Sequence, residues 1–197
     1  MENKQQGLTL IEMMIAMIIG IILSGAIITI FISNLKSATD TIRMTRLNQE
    51  LRGVMTLISD EIKRAGYSSD STVTAFNDDF NYDVGSTCLR YSYDEDGNGT
   101  QEADERFGFQ LNNSAIRWTN RVTSNTCAGT GWQSITDTAI ATITAFTVDL
   151  PASGAIAAGT ININQIEVEL TGQVDLTPND AERTITEIVR VRNEDAS

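Results

Sequence analysis

Twenty consecutive residues, Met13 to Ile32, contain no charged side chain, and a carboxylate, Glu12, stands at their lip. At about 1.5 Å of rise per residue, a helix of that length spans the roughly 30 Å of bilayer hydrocarbon. The run therefore predicts a membrane anchor, and any folded domain must lie beyond it. A secretory signal would have a shorter apolar core followed by a small-residue cleavage site. Here the run passes directly into Ser33-Asn34-Leu35-Lys36, and the nearest small residue before it is Gly7. A charge beside lipid is costly, so Glu12 calls for a partner. Taken alone, it reads as a helix amino-terminal acid facing the positive end of the dipole.

Helical periodicity continues past the anchor. Leu35, Ala38, Ile42, Leu47, Leu51, Val54, Leu57 and Ile58, Ile62 and Ala65 recur at three- and four-residue spacing, with most charges on other faces. This predicts one helix, apolar all round in its first half and amphipathic in its second, ending where Gly66 can take a left-handed cap. Within the anchor, Ala16, Gly20 and Ser24 share a face, as a close helix–helix contact requires and as spanning helices often show without one. After Gly66 the texture changes to short alternating segments between turn-rich stretches. Strands are expected at Leu89–Tyr93, Phe107–Leu111, Ala115–Thr119, Ala141–Leu150, Ile163–Thr171 and Thr184–Arg192. A long helix followed by antiparallel strands is an α+β arrangement in which the amphipathic half-helix covers the sheet.

The segment ending at Gly7, with Leu8 next and Glu12 fifth after the glycine, resembles the leader of type IV prepilins. The resemblance implies cleavage between Gly7 and Leu8 by the prepilin peptidase and methylation of the Leu8 amine. It also implies neutralisation of Glu12 by the amino terminus of a neighbouring subunit during assembly. Leu8 departs from the Phe common at that place. The run Arg46-Leu47-Asn48-Gln49-Glu50-Leu51-Arg52, the ending Arg64-Ala65-Gly66-Tyr67 and the final Val189-Arg190-Val191-Arg192-Asn193 are similar to PilW-type minor pilins. A J-class pseudopilin of type II secretion shares the architecture. The expected organisation is a leader at 1–7, a transmembrane assembly helix at 8–34, an amphipathic stalk at 35–66 and a β-rich head at 67–197. Flanking charges, Lys4 on one side and Lys36, Arg43 and Arg46 on the other, leave orientation ambiguous. The resemblance places the leader in the cytoplasm, the anchor in the inner membrane and the head in the periplasm, before assembly into a pilus. Implied partners are other minor pilins, a major pilin and a PilY-type tip protein.

The chain carries a formal net charge of −12, and ten acids against two arginines fall between Tyr67 and Leu111. Such a surface repels phosphate backbones, which disfavours nucleic-acid binding by the head. With no histidine and no G-x-S-x-G elbow, no nucleophile and base pair is visible, so no enzyme is expected. Cys88 and Cys127 should pair if the head is extracytoplasmic, closing a loop worth about 4 kcal/mol in the chain-entropy model. Two separate buried thiols are the alternative.

The most specific local pattern is Asp94-Glu95-Asp96-Gly97-Asn98-Gly99-Thr100-Gln101-Glu102-Ala103-Asp104-Glu105, a full D-x-[DN]-x-[DN]-G-x₅-E match. Ca²⁺ takes six to eight oxygens, and this spacing offers Asp94, Asp96, Asn98, the Thr100 carbonyl, Glu102 directly or through water, and a bidentate Glu105, with Gly99 at the sharp turn. The flanks read as strands, and position eight is Gln101, so the expectation is a lone calcium loop on a hairpin. An acidic solvated hairpin connection is the plainer reading, since Asp-Gly and Asn-Gly form turns unaided. Trp118 and Trp132 read as packing residues. Two roles remain for the whole chain: a structural subunit priming fibre assembly near the tip, or a tip module that binds a surface.

Overall fold

The computed structural model describes residues 9–78, 81–82, 87–123, 127–149, 165–176 and 179–191. Gly7 and Leu8 lie outside these residues, as do Leu150, Ile163 and Arg192 at the ends of three expected strands. Helix α1 runs from Leu10 to Arg64 without a break. The chain divides into two compact units, residues 1–42 and 43–197.

In the first unit the helix is long and apolar enough to cross a membrane, and its large apolar side chains are exposed all round. Its hydroxyls return to its own backbone: Ser24 donates to the Gly20 carbonyl at 2.7 Å and Thr29 to that of Gly25 at 2.9 Å. Each is thereby satisfied without water, as hydrocarbon demands. Leu35 and Ile42, expected on the amphipathic stripe, are exposed in this unit.

In the second unit the helix becomes one-sided. Leu47, Leu51, Val54, Met55, Ile58, Ile62 and Ala65 are buried, whereas Leu57, one position from Ile58, stays 42% exposed. The helix closes through tight turns, Ala65 N–H to Ile62 O and Tyr67 N–H to Arg64 O. Gly66 follows with φ of +75°, the expected left-handed cap, and its N–H donates to Ser92 O at 2.8 Å.

A four-residue helix α2 (Ala75–Asp78) precedes two antiparallel sheets. The first has the order β1-β2-β3-β4-β5: β1 Asn81–Tyr82, β2 Cys88–Ser92, β3 Arg106–Asn112, β4 Ala115–Thr119 and β5 Gln133–Ser134. The second has the order β6-β7-β8: β6 Thr142–Asp149, β7 Gln165–Val174 and β8 Ala181–Arg190. The α+β, pilin-like class is therefore as expected, with two differences. The strands form two sheets where one was expected, because β6 turns to pair with β7 and not with β5. The segments β1 and β5 are also new; two residues carry no periodicity to read. Strands β3 and β4 meet at Asn113-Ser114, both at positive φ (51° and 59°), in the two-residue geometry that matches strand twist.

One core serves both sheets. Leu89, Tyr91, Phe107, Phe109 and Ile116 reach it from the first, Phe146, Val148, Ile166, Val168, Leu170 and Val189 from the second. The helix crosses β7 at Gly172, where a Cβ would stand 2.9 Å from Leu51 Cδ2 and 3.1 Å from Leu47 Cδ1. Trp118 stacks in a row with Phe107, Tyr91, Tyr93 and Phe109, and Trp132 lies over Gly108. Both tryptophans pack, as expected.

Candidate functional site

At the amino-terminal end, Thr9 precedes the helix and Glu12 occupies its first turn. Thr9 N–H and Oγ1 donate to Glu12 Oε2 at 2.9 and 2.8 Å, while Glu12 N–H reaches Thr9 Oγ1 at 3.4 Å. This reciprocal pattern is a capping box, and it occupies otherwise unpaired helix N–H groups. Within a single chain, Glu12 thus serves its own helix end. Its carboxylate remains exposed, open to a charged group from outside.

The acidic loop joins β2 to β3 with no flanking helix. Here Asp94 and Glu105 are each only 3% exposed, a degree of burial that carboxylates reach only when well partnered. Asp94 accepts N–H bonds from Ser69, Gly97, Asn98 and Gly99, and Glu105 accepts those of Glu95 and Glu102. Hydrogen bonds from Ser69 first, and then from Gly99 and Gly97, bring the Asp94 carboxyl down to about 2. Gly97 and Gly99 take φ of +76° and +73°, letting the chain curl round Asp94.

Oxygens of Asp94, Asp96 and Glu105 lie within 4.8 Å of one another. A single point can therefore lie within roughly 2.8 Å of all three, near the 2.3–2.6 Å bond lengths that Ca²⁺ prefers. The donor set is all oxygen and the two buried carboxylates are prepositioned by backbone N–H groups, so these residues fit a hard divalent cation. Of the carboxylates expected as ligands, Glu102 is not in that cluster. Asn98 gives Nδ2 to Asp96 at 2.7 Å, while its oxygen accepts Thr100 N–H. Glu102 is exposed and contributes its N–H to Glu105. Gln101 acts as a strut: it donates to Ser92 Oγ and Ala75 O and accepts Arg106. That contact accounts for a polar residue at position eight.

The loop is also sewn to the end of α1, since Asp94 N–H donates to Tyr67 O and a Gly99 Cβ would lie 3.1 Å from Asp70 Cβ. At the other end of β2, Cys88 is bonded to Cys127, with Cα atoms 5.9 Å apart. The expected bridge is present, and it brackets the β2–β3–β4 segment.

Two groups went unread in the sequence. Ser69 reaches Asp94 from 25 positions away, a separation without a local signal. Glu61, read as part of the outer helix face, is a hub: Tyr91 Oη donates to it at 3.0 Å, Tyr93 Oη at 3.3 Å and Arg64 at 3.1 Å. Trp118 Nε1–H donates in turn to Tyr91 Oη at 3.2 Å. Burial first, and then the Glu61 charge, raises both tyrosine hydroxyls above the usual range. Arg64 lies 4.1 Å over the Tyr93 ring, a cation–π contact. The last turns of α1 are thus clipped to the first sheet.

Two family models match the chain. The prokaryotic N-terminal methylation motif covers residues 3–28, and prepilin peptidase-dependent protein B covers residues 40–191. No curated protein and no solved structure matches it.

Proposed function

The chain belongs to the prepilin peptidase-dependent protein B family, and from that premise we propose that it is a minor pilin of a type IV pilus, of the PilW type. It joins other minor pilins and the major pilin, primes fibre assembly and stays at or near the tip, against a PilY-type protein. The prepilin peptidase cuts between Gly7 and Leu8, and the Leu8 amine is methylated. The head faces the periplasm while the anchor sits in the inner membrane, and the subunit has no catalytic role.

One observation carries this reading. A single helix, Leu10–Arg64, exposes an uncharged apolar run, Met13 to Ile32, in one unit and lays one apolar face into the core of a β-rich domain in the next. A subunit built so can rest in a bilayer and then leave it, keeping its head folded. In that step Glu12 exchanges its Thr9 cap for the amine of a neighbour, and pairing offsets the cost of its charge in lipid. Incorporation of Glu12→Leu into surface fibres tests it. The variant is expected to insert in the membrane and to be absent from sheared fibres; normal incorporation refutes the assembly role.

Calcium fits the same reading as a brace for the head. Asp94, Asp96 and Glu105 would hold the ion, with Asn98, Thr100 and Glu102 turning to complete the shell, and the ion would relieve repulsion among the carboxylates. At calcium a hundredfold above the dissociation constant, linkage supplies about 2.7 kcal/mol. Calcium is expected to raise the melting temperature of the wild type and to leave Asp96→Ser unmoved. That position is exposed, so the variant keeps its metal-free stability. No shift at millimolar calcium leaves the loop a turn only.

The J-class secretion pseudopilin is the alternative. Loss of surface fibres on deletion favours the pilus, and loss of secretion with fibres intact favours the pseudopilus. Intact fibres with lost attachment would make the head a tip binding module.

A further inference from the structure

The two edges of the second sheet differ. Strand β6 is bulged between Ile143 and Ala145, and its Ile143 N–H is already given to Ser114 O at the β3–β4 turn. An edge so bent and occupied is closed to a further strand. Strand β8 pairs with β7 through ten consecutive residues without a shift, and among the described residues no strand lies on its other side. Every second residue of β8 therefore directs its N–H and C=O away from β7.

Helix α1 does not cover this edge. It crosses the sheet at Gly172 on β7, and a cleft of about 470 Å³ remains between it and β8. Arg52, Met55 and Thr56 form one wall, and Arg183 to Glu187 form the other. Five consecutive strand residues line the cleft, from both faces of the sheet, so it follows the strand's edge. Arg183, Ile185 and Glu187 stand opposite Gly172, Leu170 and Val168 of β7, on the side that faces the helix. Arg52 and Arg183 are exposed, and among the described residues neither forms an ion pair. The cleft thus has cations at one end, the half-buried Glu187 roughly 13 Å along the strand, and Ile185 between them.

We propose that this cleft receives an extended segment of a partner polypeptide, added to the sheet antiparallel to β8. On the helix side the guest carries a cation opposite Glu187, an apolar residue opposite Ile185 and a carboxylate opposite Arg183. Backbone hydrogen bonds hold such a strand, and its alternate side chains select it. Charges on an open edge turn away strands that do not answer them, so Arg183 and Glu187 both protect the edge and set its specificity. The pattern Arg183-x-Ile185-x-Glu187 would also suit β8 of a second copy. That pairing, however, turns one copy half round about the sheet normal and reverses its α1, which two chains anchored in one membrane cannot do. The guest is therefore a different polypeptide. The site belongs to the head alone and goes beyond the pilus reading, since a pseudopilus subunit would carry it equally.

The test is binding of a fluorescent peptide, Thr-Lys-Thr-Val-Thr-Glu-Thr, to the full chain in detergent, read by anisotropy and by amide hydrogen exchange. Saturable binding is expected with a dissociation constant below about 1 mM, and exchange should slow at alternate amides between Arg183 and Glu187. The peptide with Lys and Glu exchanged should bind about tenfold or more weakly, because both cross-strand charge pairs then become repulsive. Arg183→Glu with Glu187→Arg should reverse that preference, and Arg52→Glu should weaken the first peptide. A peptide N-methylated at the amides that face β8 should not bind, which reads the backbone ladder on the wild-type chain itself. No saturation up to about 1 mM, equal binding of the two peptides, indifference to N-methylation, or an unreversed preference in a folded double variant overturns the site. Pairing of two chains through β8 without peptide makes a second copy the occupant and overturns it also. The Glu12→Leu fibre test reads a different surface, so either result can fail while the other stands.

Discussion

Removing the Glu61 carboxylate, as in Glu61→Ala, strikes a polar junction that ties α1 to the first sheet. The Tyr91 ring is fully buried, and without Glu61 its hydroxyl keeps the Trp118 donor but loses the acceptor for its own proton. Leaving a buried donor unsatisfied costs about 1–3 kcal/mol, and a hydrogen bond to a charged acceptor is worth about 1.5–3. The Arg64 pair adds little, because Arg64 is 52% exposed and exposed pairs contribute about 0–1 kcal/mol. These terms overlap, so the expected loss is about 2–4 kcal/mol. For a folded unit of this size each kcal/mol lowers the melting temperature by about 2–4 °C, giving a drop of about 5–15 °C. Thermal unfolding of the detergent-solubilised chain, followed by circular dichroism, reads this directly. A double-mutant cycle with Tyr91→Phe should return a coupling of about 1.5 kcal/mol or more. Glu61→Gln, which keeps an acceptor without the charge, should lose about half as much as Glu61→Ala. A Glu61→Ala melt within about 2 °C of wild type, or coupling under about 0.5 kcal/mol, refutes the junction.

Alkaline titration supplies an independent check on the same residues. Both tyrosines hold their protons more tightly when folded than the ordinary value near 10 allows, so stability is complete below pH 10 and declines above it. The limiting slope is about 1.4 kcal/mol per pH unit for each, and Tyr91→Phe should remove one share of it in pH-dependent denaturant melts. Gly172→Val forces a branched side chain against Leu47 and Leu51 and should destabilise by about 1–3 kcal/mol in urea unfolding. Gly53→Ala, in open space on the same helix, should stabilise by about 0.5–1 kcal/mol in that assay.

How much could be read beforehand depended on distance along the chain. Helix α1 was legible because its signals are local: an uncharged run, then a three-to-four spacing, then Gly66. Strands β3 and β4 were legible for the same reason, as short alternating segments at Phe107–Leu111 and Ala115–Thr119. The start of β8, expected at Thr184 and found at Ala181, was missed because of Glu182 and Arg183, charges that an edge strand tolerates. Leu57 was assigned to the core jointly with Ile58, and only the helix's actual azimuth against Gly172 separated them.

The acidic loop divides along the same line. Its twelve-residue spacing, the two glycines and the turn are properties of the chain itself, and the sequence alone determined that oxygen-bearing side chains recur there at every second position from Asp94 to Asp104. Which of the carboxylates converge is a tertiary matter. Asp94 and Glu105 are drawn inward because Ser69 and the loop's own N–H groups pay for their burial, while Glu102 remains at the surface. Glu61 shows the principle most plainly. On the helix it is one more charge on a polar face, and it becomes a half-buried acceptor only when Tyr91 and Tyr93, 30 and 32 residues away, arrive on β2 and just beyond it. Periodicity and turn chemistry act between neighbours and can be read in order. Burial and pairing act between residues that only the packed chain brings together.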